Sequence, residues 1–397
     1  MSIPRKLYYF IAVSVVSSLA VSYTSSIMPY FILSLNMEMK VYGLIQTLAR
    51  LIALLVRIPF SAIIPSYGYF KSYAMGYSMG ILSQMAYIAV CITPYALFFY
   101  TIGSVFVMLR FATTFTARSS IVARFTDSSN RGFVFGLISS LNMVTSSIGP
   151  FIGSLLYEAT GGSFVAVFMF SLTTMMLAIV MLIPLIKNDI KVKKSGVLRE
   201  EFKLQLTSIP AVFRNPKLRK ILFIFMLDGF CWSIAGAYTS IYFAEYLHLT
   251  PMDLSYLNLM TNIVNILTFT LIGWISDKLR KRGVFLAVSE VFGILYFLLI
   301  LEARDITLLY FASAIMGFVA SFWSPIASAY ITEAAEEESR DLVPLAIGIR
   351  GFLGTLARML GTLIGGLIYD INPWMVFRVP SLMLIIIILI ILLFLRD

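Results

Sequence analysis

Gly149-Pro-Phe-Ile-Gly-Ser-Leu-Leu-Tyr-Glu158 and Gly361-Thr-Leu-Ile-Gly-Gly-Leu-Ile-Tyr-Asp370 are one pattern written twice. Two glycines, an isoleucine, a leucine, a tyrosine and a closing acid coincide at an offset of 212 residues, about half of the 397-residue chain. The same offset lays Ser61-Ala-Ile-Ile-Pro65 on Gly273-Trp-Ile-Ser-Asp277. An internal repeat at half length means two copies of one structural unit. The surroundings say what kind of unit it is. Hydrophobic residues make up 59% of the chain, charged residues only 13%, and the mean hydropathy is +0.91. No water-soluble fold hides that much apolar surface, whereas a bilayer serves as its solvent.

A bilayer core of about 30 Å takes about 20 helical residues. Twelve apolar stretches meet that length: 7–33, 41–65, 72–92, 95–118, 132–157, 163–186, 220–246, 254–276, 283–302, 306–330, 343–369 and 375–395. β-Barrel strands would be shorter and would alternate in polarity, so the spans are helices. The expected fold is an all-α membrane protein of two six-helix bundles, 1–186 and 220–397, joined by a cytoplasmic linker at 187–219. That linker is basic and reads as a connector with one interfacial helix. Six spans per copy start both copies on the same side, so the repeats are parallel and related by an axis along the membrane normal.

Lys and Arg set the sidedness. With the N-terminus inside, 22 of the 30 fall in inner segments, three (Lys40, Arg304, Arg378) fall outside, and five lie within spans. Both termini are therefore expected in the cytoplasm and the protein in the cell membrane. The net charge of +10 reports this topology and an anionic inner leaflet; it calls for no nucleic acid. The first apolar run is too long for a cleavable signal and reads as a signal-anchor helix. Both cysteines, Cys91 and Cys231, fall in spans, so no extracellular disulfide is implied. The one histidine, His248, sits near an outer loop, which leaves zinc or haem almost no ligands. No cofactor and no metal are expected.

The motifs resemble those of the major facilitator superfamily. Gly273-x-x-x-Asp277-x-x-Arg280-Lys281-Arg282-Gly283, between spans 8 and 9, is similar to its signature inner loop. The first-half counterpart is degraded to Ser61, Pro65, Gly68 and Lys71, without the acid. Arg110 matches the family's span-4 arginine, and Asp127 to Arg131-Gly132 its loop before span 5. Gly149-Pro150-x-x-Gly153 resembles the span-5 motif found mainly in proton-coupled antiporters. The resemblance implies an alternating-access transporter with a central site between the halves.

Charges inside a membrane are costly, by roughly 2.5–3.5 kcal/mol each on insertion scales, and face a cavity or a partner. Span 2 carries Arg50 and Arg57, two turns apart on nearly one side. Arg50 is nearer mid-span and suits a cavity role; Arg57 is close enough to the inner end to snorkel. Span 11 carries Gly351, Gly354, Arg358, Gly361 and Gly365 on one broad face, giving Arg358 room to reach a solute or counter-ion. Arg350, nearer the inner end, reads as structural. Asn258, Asn262 and Asn265 share a face of span 8 and serve either interhelical hydrogen bonding or a hydrated wall. Trp232 and Tyr238 place aromatics on span 7, which lines the path in the resembled fold; packing is the simpler role for each.

Only two acids lie clearly within spans, Asp228 in span 7 and Glu290 in span 9. A carboxylate held between desolvation and a nearby arginine is poised to carry a proton. Asp228 is the better-placed coupling residue and Glu290 the next, with a plain charge pair as the alternative for both. Five arginines against two carboxylates attract anions, and arginine suits carboxylate or phosphate. In the resembled fold Arg50 and Arg358 would face each other across the cleft. The expected function is proton-coupled export or antiport of a small organic solute, anionic in character, by a monomeric transporter whose partners are solute, protons and lipid. Multidrug-type efflux of lipophilic compounds and organic-anion uptake or uniport are the alternatives. Span 1 offers Ser14, Ser17, Ser18, Ser22 and Tyr23 but no acid, which speaks against cationic drugs. No HExxH, carboxylate pair or Ser–His constellation of an enzyme appears.

Overall fold

A computed structural model describes residues 5–126, 128–189, 210, 212–339 and 342–395. Most of the linker, and Asp127 of the loop before span 5, lie outside the described residues. Among the described residues fourteen helices follow in order: α1 Arg5–Ser22, α2 Met28–Ser34, α3 Met39–Tyr67, α4 Tyr69–Ile92, α5 Ala96–Phe125, α6 Ser128–Ala159, α7 Phe164–Lys187, α8 Pro216–Gly236, α9 Thr239–Glu245, α10 Pro251–Leu279, α11 Arg282–Glu302, α12 Ile306–Glu336, α13 Val343–Ile371 and α14 Met375–Phe394. Among the described residues there is no strand.

Among the described residues, eleven helical segments are long and apolar enough to cross a membrane, and Lys6–Ser22 is a shorter apolar helix. The expected continuous span 7–33 is thus two helices, α1 and α2, flanking a turn. The reason is local: Ser22, Ser25 and Thr24 turn their hydroxyls back onto carbonyls three residues earlier, and Pro29 restarts the helix. Span 7 breaks likewise between α8 and α9. The outward faces stay apolar, as at Leu55, Phe98, Leu267 and Leu382, each more than 60% exposed. Lipid is the solvent that accepts such a surface.

The chain divides into two compact units. One takes the described residues of Met1–Met37 and Leu48–Ser195 together with Thr250–Ser255; the other takes Glu38–Thr47, Gly196–Leu249 and Tyr256–Asp397. In the first unit α1 packs on α6 and α7, and α4 on α5 and α7. In the second α8 packs on α13 and α14, and α11 on α12 and α14.

The repeat seen in the sequence recurs in backbone geometry. Asn36 and His248, equivalent at the 212-residue offset, both sit in the left-handed region with φ of 49° and 50°. Gly68 and Arg280 are equivalent too, with φ of 120° and 53°. The lone histidine therefore marks a turn shared by both copies. Glycines do the same in the packing. A Cβ at Gly149 would strike Ser22, and one at Gly153 the Tyr23 carbonyl. Their counterparts Gly361 and Gly365 would strike the carbonyls of Phe230 and Ile234. Only glycine permits so close a helix approach. Hydrogen bonds match as well: Ser26 donates to the Pro150 carbonyl at 3.1 Å, and Tyr238, its counterpart, to the Thr362 carbonyl at 2.6 Å.

Candidate functional site

The second unit holds the two intramembrane acids. Asn215 caps α8 by accepting from the amides of Lys217 and Leu218, and Pro216 occupies the first turn where a missing N–H costs nothing. Three turns on, Asp228 is buried at 7% exposure, and its Oδ1 has no hydrogen-bond partner. Glu290 on α11 is fully buried. Trp232 Nε1, one turn beyond Asp228, donates to Glu290 Oε2 at 3.1 Å, while Oε1 is unpartnered. The two carboxyls lie within hydrogen-bonding reach of each other. Sequence spacing could not reveal this, because the two acids sit on different helices.

Gly293 makes room for the arrangement. A Cβ there would come within 2.7 Å of the Trp232 ring. The indole packs on Phe297, ring centroids 5.0 Å apart, and stacks on Tyr296 at 6.2 Å. From α13, Arg350 and Arg358 act on Asp228 through their charge. Arg350 donates to Ser328 on α12 at 3.1 Å and lies 4.7 Å over the Phe225 ring. Arg358 donates to Thr355 at 3.4 Å, beside Gly229 and Gly354, whose missing side chains leave it space.

Other selected residues take these places. Asn262 donates to Asn258 at 3.5 Å along α10, and Asn265 accepts from Ser321 of α12 at 3.0 Å. Tyr238 is fully buried and rests edge-on against Tyr42, centroids 5.6 Å apart. In the first unit Arg50 and Arg57 lie on α3, with Arg57 5.5 Å over the Phe115 ring. Arg110 on α5 lies against Gly80 of α4 and near the Tyr73, Tyr77 and Tyr87 rings. Tyr73 donates to Ser14, and Tyr77 shares a hydrogen bond with Ser17. The span-1 serines are thus engaged: Ser18 bonds Thr145 at 2.6 Å.

At the α10–α11 connection, Arg282 bridges Asp277 at 2.8 Å and Glu333 at 2.5 Å. Arg280 supplies the left-handed turn between them. No sequence motif marks Glu333; its only signal is the acidic run that closes α12. In the sequence Asp370 marks only the end of the repeat. It accepts from the amides of Met39 at 2.7 Å and Lys40 at 2.8 Å, capping α3. Among the described residues no cluster of three or more metal-ligating side chains occurs.

Two helical repeats, glycine-packed and carrying buried charge, define a polytopic membrane transporter fold. The chain belongs to the Major Facilitator Superfamily, whose model matches residues 10–343 and 221–397. No curated protein matches it in sequence. In structure it is similar to a POT family transporter in complex with 5-aminolevulinic acid, at 15% identity and TM-score 0.77 over 98% of this chain and 96% of that one. It is also similar to the nucleoside transporter NupG, at 14% identity and TM-score 0.75 over 99% and 100%. A mutant of the peptide transporter POT, in complex with alafosfalin, gives 14% and 0.74 over 98% and 94%. At such identity the likeness carries the fold alone. Family and fold are those of transporters of small solutes, not of enzymes, in a multi-pass membrane protein.

Proposed function

We propose that this chain is a proton-coupled secondary transporter that exports a small organic anion by alternating access, as a monomer in the cell membrane with both termini cytoplasmic. Asp228 carries the reading: a buried carboxylate with an unpartnered oxygen, under the charge of Arg350 and Arg358. The protonation of a carboxylate depends on its partners, so a change of partner changes its protonation. The excess of arginine over carboxylate within the spans favours an anionic solute, with Arg50 and Arg358 the side chains that select it. The polar face of α10 at Asn258 and Asn262 supplies neutral hydrogen-bonding groups. The Gly149-Pro150-x-x-Gly153 motif supports export by antiport. Complexes of related folds with 5-aminolevulinic acid and alafosfalin support a solute of small size.

The test is transport by purified protein in liposomes. Asp228→Asn mimics the protonated carboxyl. It is expected to abolish accumulation driven by a pH gradient while sparing counterflow of labelled against unlabelled solute. Full gradient-driven accumulation by the variant would assign coupling elsewhere. Loss of both activities would make Asp228 a structural or solute-binding group.

A further inference from the structure

Burying one carboxylate in an apolar bundle is costly, and burying two in contact is more so, because like charges repel strongly where little screens them. Asp228 and Glu290 are nevertheless both buried and within reach of each other, on two helices of one unit. Each keeps one oxygen without a partner. A carboxylate can only accept a hydrogen bond, whereas a carboxylic acid can also donate one. Two carboxyls held together therefore call for a proton between them.

We propose that Asp228 and Glu290 form a dyad that binds the transported proton as a pair. This rests on the proton-coupled reading and assigns its proton to two residues rather than one. With one proton between them the pair carries a single negative charge. A second proton neutralises it, and release of that proton restores the charge, so one proton moves per cycle. The surroundings suit a site that alternates between these forms. From α13, Arg350 and Arg358 act on Asp228 through their charge, and Arg358 lies beside Gly229. From α8, Trp232 holds Glu290 by its N–H, and Cys231 turns its thiol to the Pro380 carbonyl of α14. From α12, Ser328 accepts from Arg350. Gly293 keeps the indole seated, so Trp232 and Gly293 are positioning residues for the pair.

Trp232 also provides the readout. It is one of four tryptophans, so the W274F/W323F/W374F chain leaves a single indole bonded to Glu290. In lipid nanodiscs, without solute or gradient, its fluorescence is expected to titrate with pH, and E290Q to abolish that response. D228N is expected to move the midpoint by at least about tenfold in proton concentration, the mark of two coupled sites. D228S takes its place if the Asn chain loses its melting transition. A midpoint unmoved by removal of Asp228, or a parent chain whose Trp232 does not respond to pH, overturns the dyad. A shifted midpoint in a protein whose transport ignores the pH gradient keeps the dyad and refutes only the coupled function.

Discussion

In the second unit the start of α3 meets the end of α13 through glycine; in the first, the start of α10 meets the end of α6 through serine. The positions are equivalent at the 212-residue offset. A Cβ at Gly366 would come within 2.5 Å of the Met39 carbonyl, and one at Gly43 within 2.6 Å of the Tyr238 hydroxyl. Their counterparts Ser154 and Ser255 bond each other at 3.1 Å, with Ser26 bonding Ser154 at 2.9 Å. Asp370 caps α3 from an exposed position, and its counterpart Glu158 is exposed too. The equivalent of Met39 is Pro251, which has no N–H to offer a carboxylate. α10 uses a local cap instead, Thr250 N donating to Asp253 at 2.8 Å. The two crossings thus share a backbone path but not the forces that fix it: a charge on two amides at one, neutral hydroxyls at the other. The buried charges diverge in the same way. Asp228, Glu290 and Arg110 have Val16, Ser78 and Phe322 as counterparts.

The shared part of that comparison is the most exposed to test. Gly153→Ala and Gly365→Ala each force apart helices in backbone contact, and each is expected to cost about 1–3 kcal/mol, read as a lowered melting temperature in detergent. An alanine tolerated in one copy alone would break the equivalence of the two crossings. The arginines probe the part that diverged, since Arg50 and Arg358 correspond to Asn262 and Ser146. Each replaced by Gln is expected to weaken binding of a stabilising carboxylate by more than tenfold, about 1.4 kcal/mol. Ligand-induced melting shifts unchanged in both variants would remove the anion-selecting role. The smallest expected effect separates the two caps. Asp370→Ala should cost about 1 kcal/mol, whereas Glu158→Ala should stay within about 0.5 kcal/mol. Equal losses would mean that Glu158 also holds a helix end.

Much of the fold was legible because its signals are local or periodic. A bilayer demands helices of fixed length, so hydropathy located twelve crossings, and the 212-residue echo paired them. Breaks inside the first and seventh spans were not legible, since a hydroxyl-rich turn in an apolar run reads the same as helix until the packing glycines opposite it are known. At the site, Asp228 and Glu290 stood out as the only clear intramembrane acids. Trp232 read as packing or solute contact, yet its N–H goes to Glu290. Asn265 read as one of three equal amides, yet Ser321 of α12 donates to it.

The sequence by itself determined a helical membrane protein built from two copies of one unit, the sidedness to expect of it, and the short inventory of charges that its spans must accommodate. Those follow from composition, period and the cost of charge in hydrocarbon, which act along the chain. Tertiary structure alone decided which charges meet: that Glu290 reaches Asp228, that Glu333 joins Arg282, and that Asp370 caps a helix more than 300 residues away in the chain. Such contacts depend on how helices cross, and a crossing is set by the shapes of both partners, which neither segment carries alone.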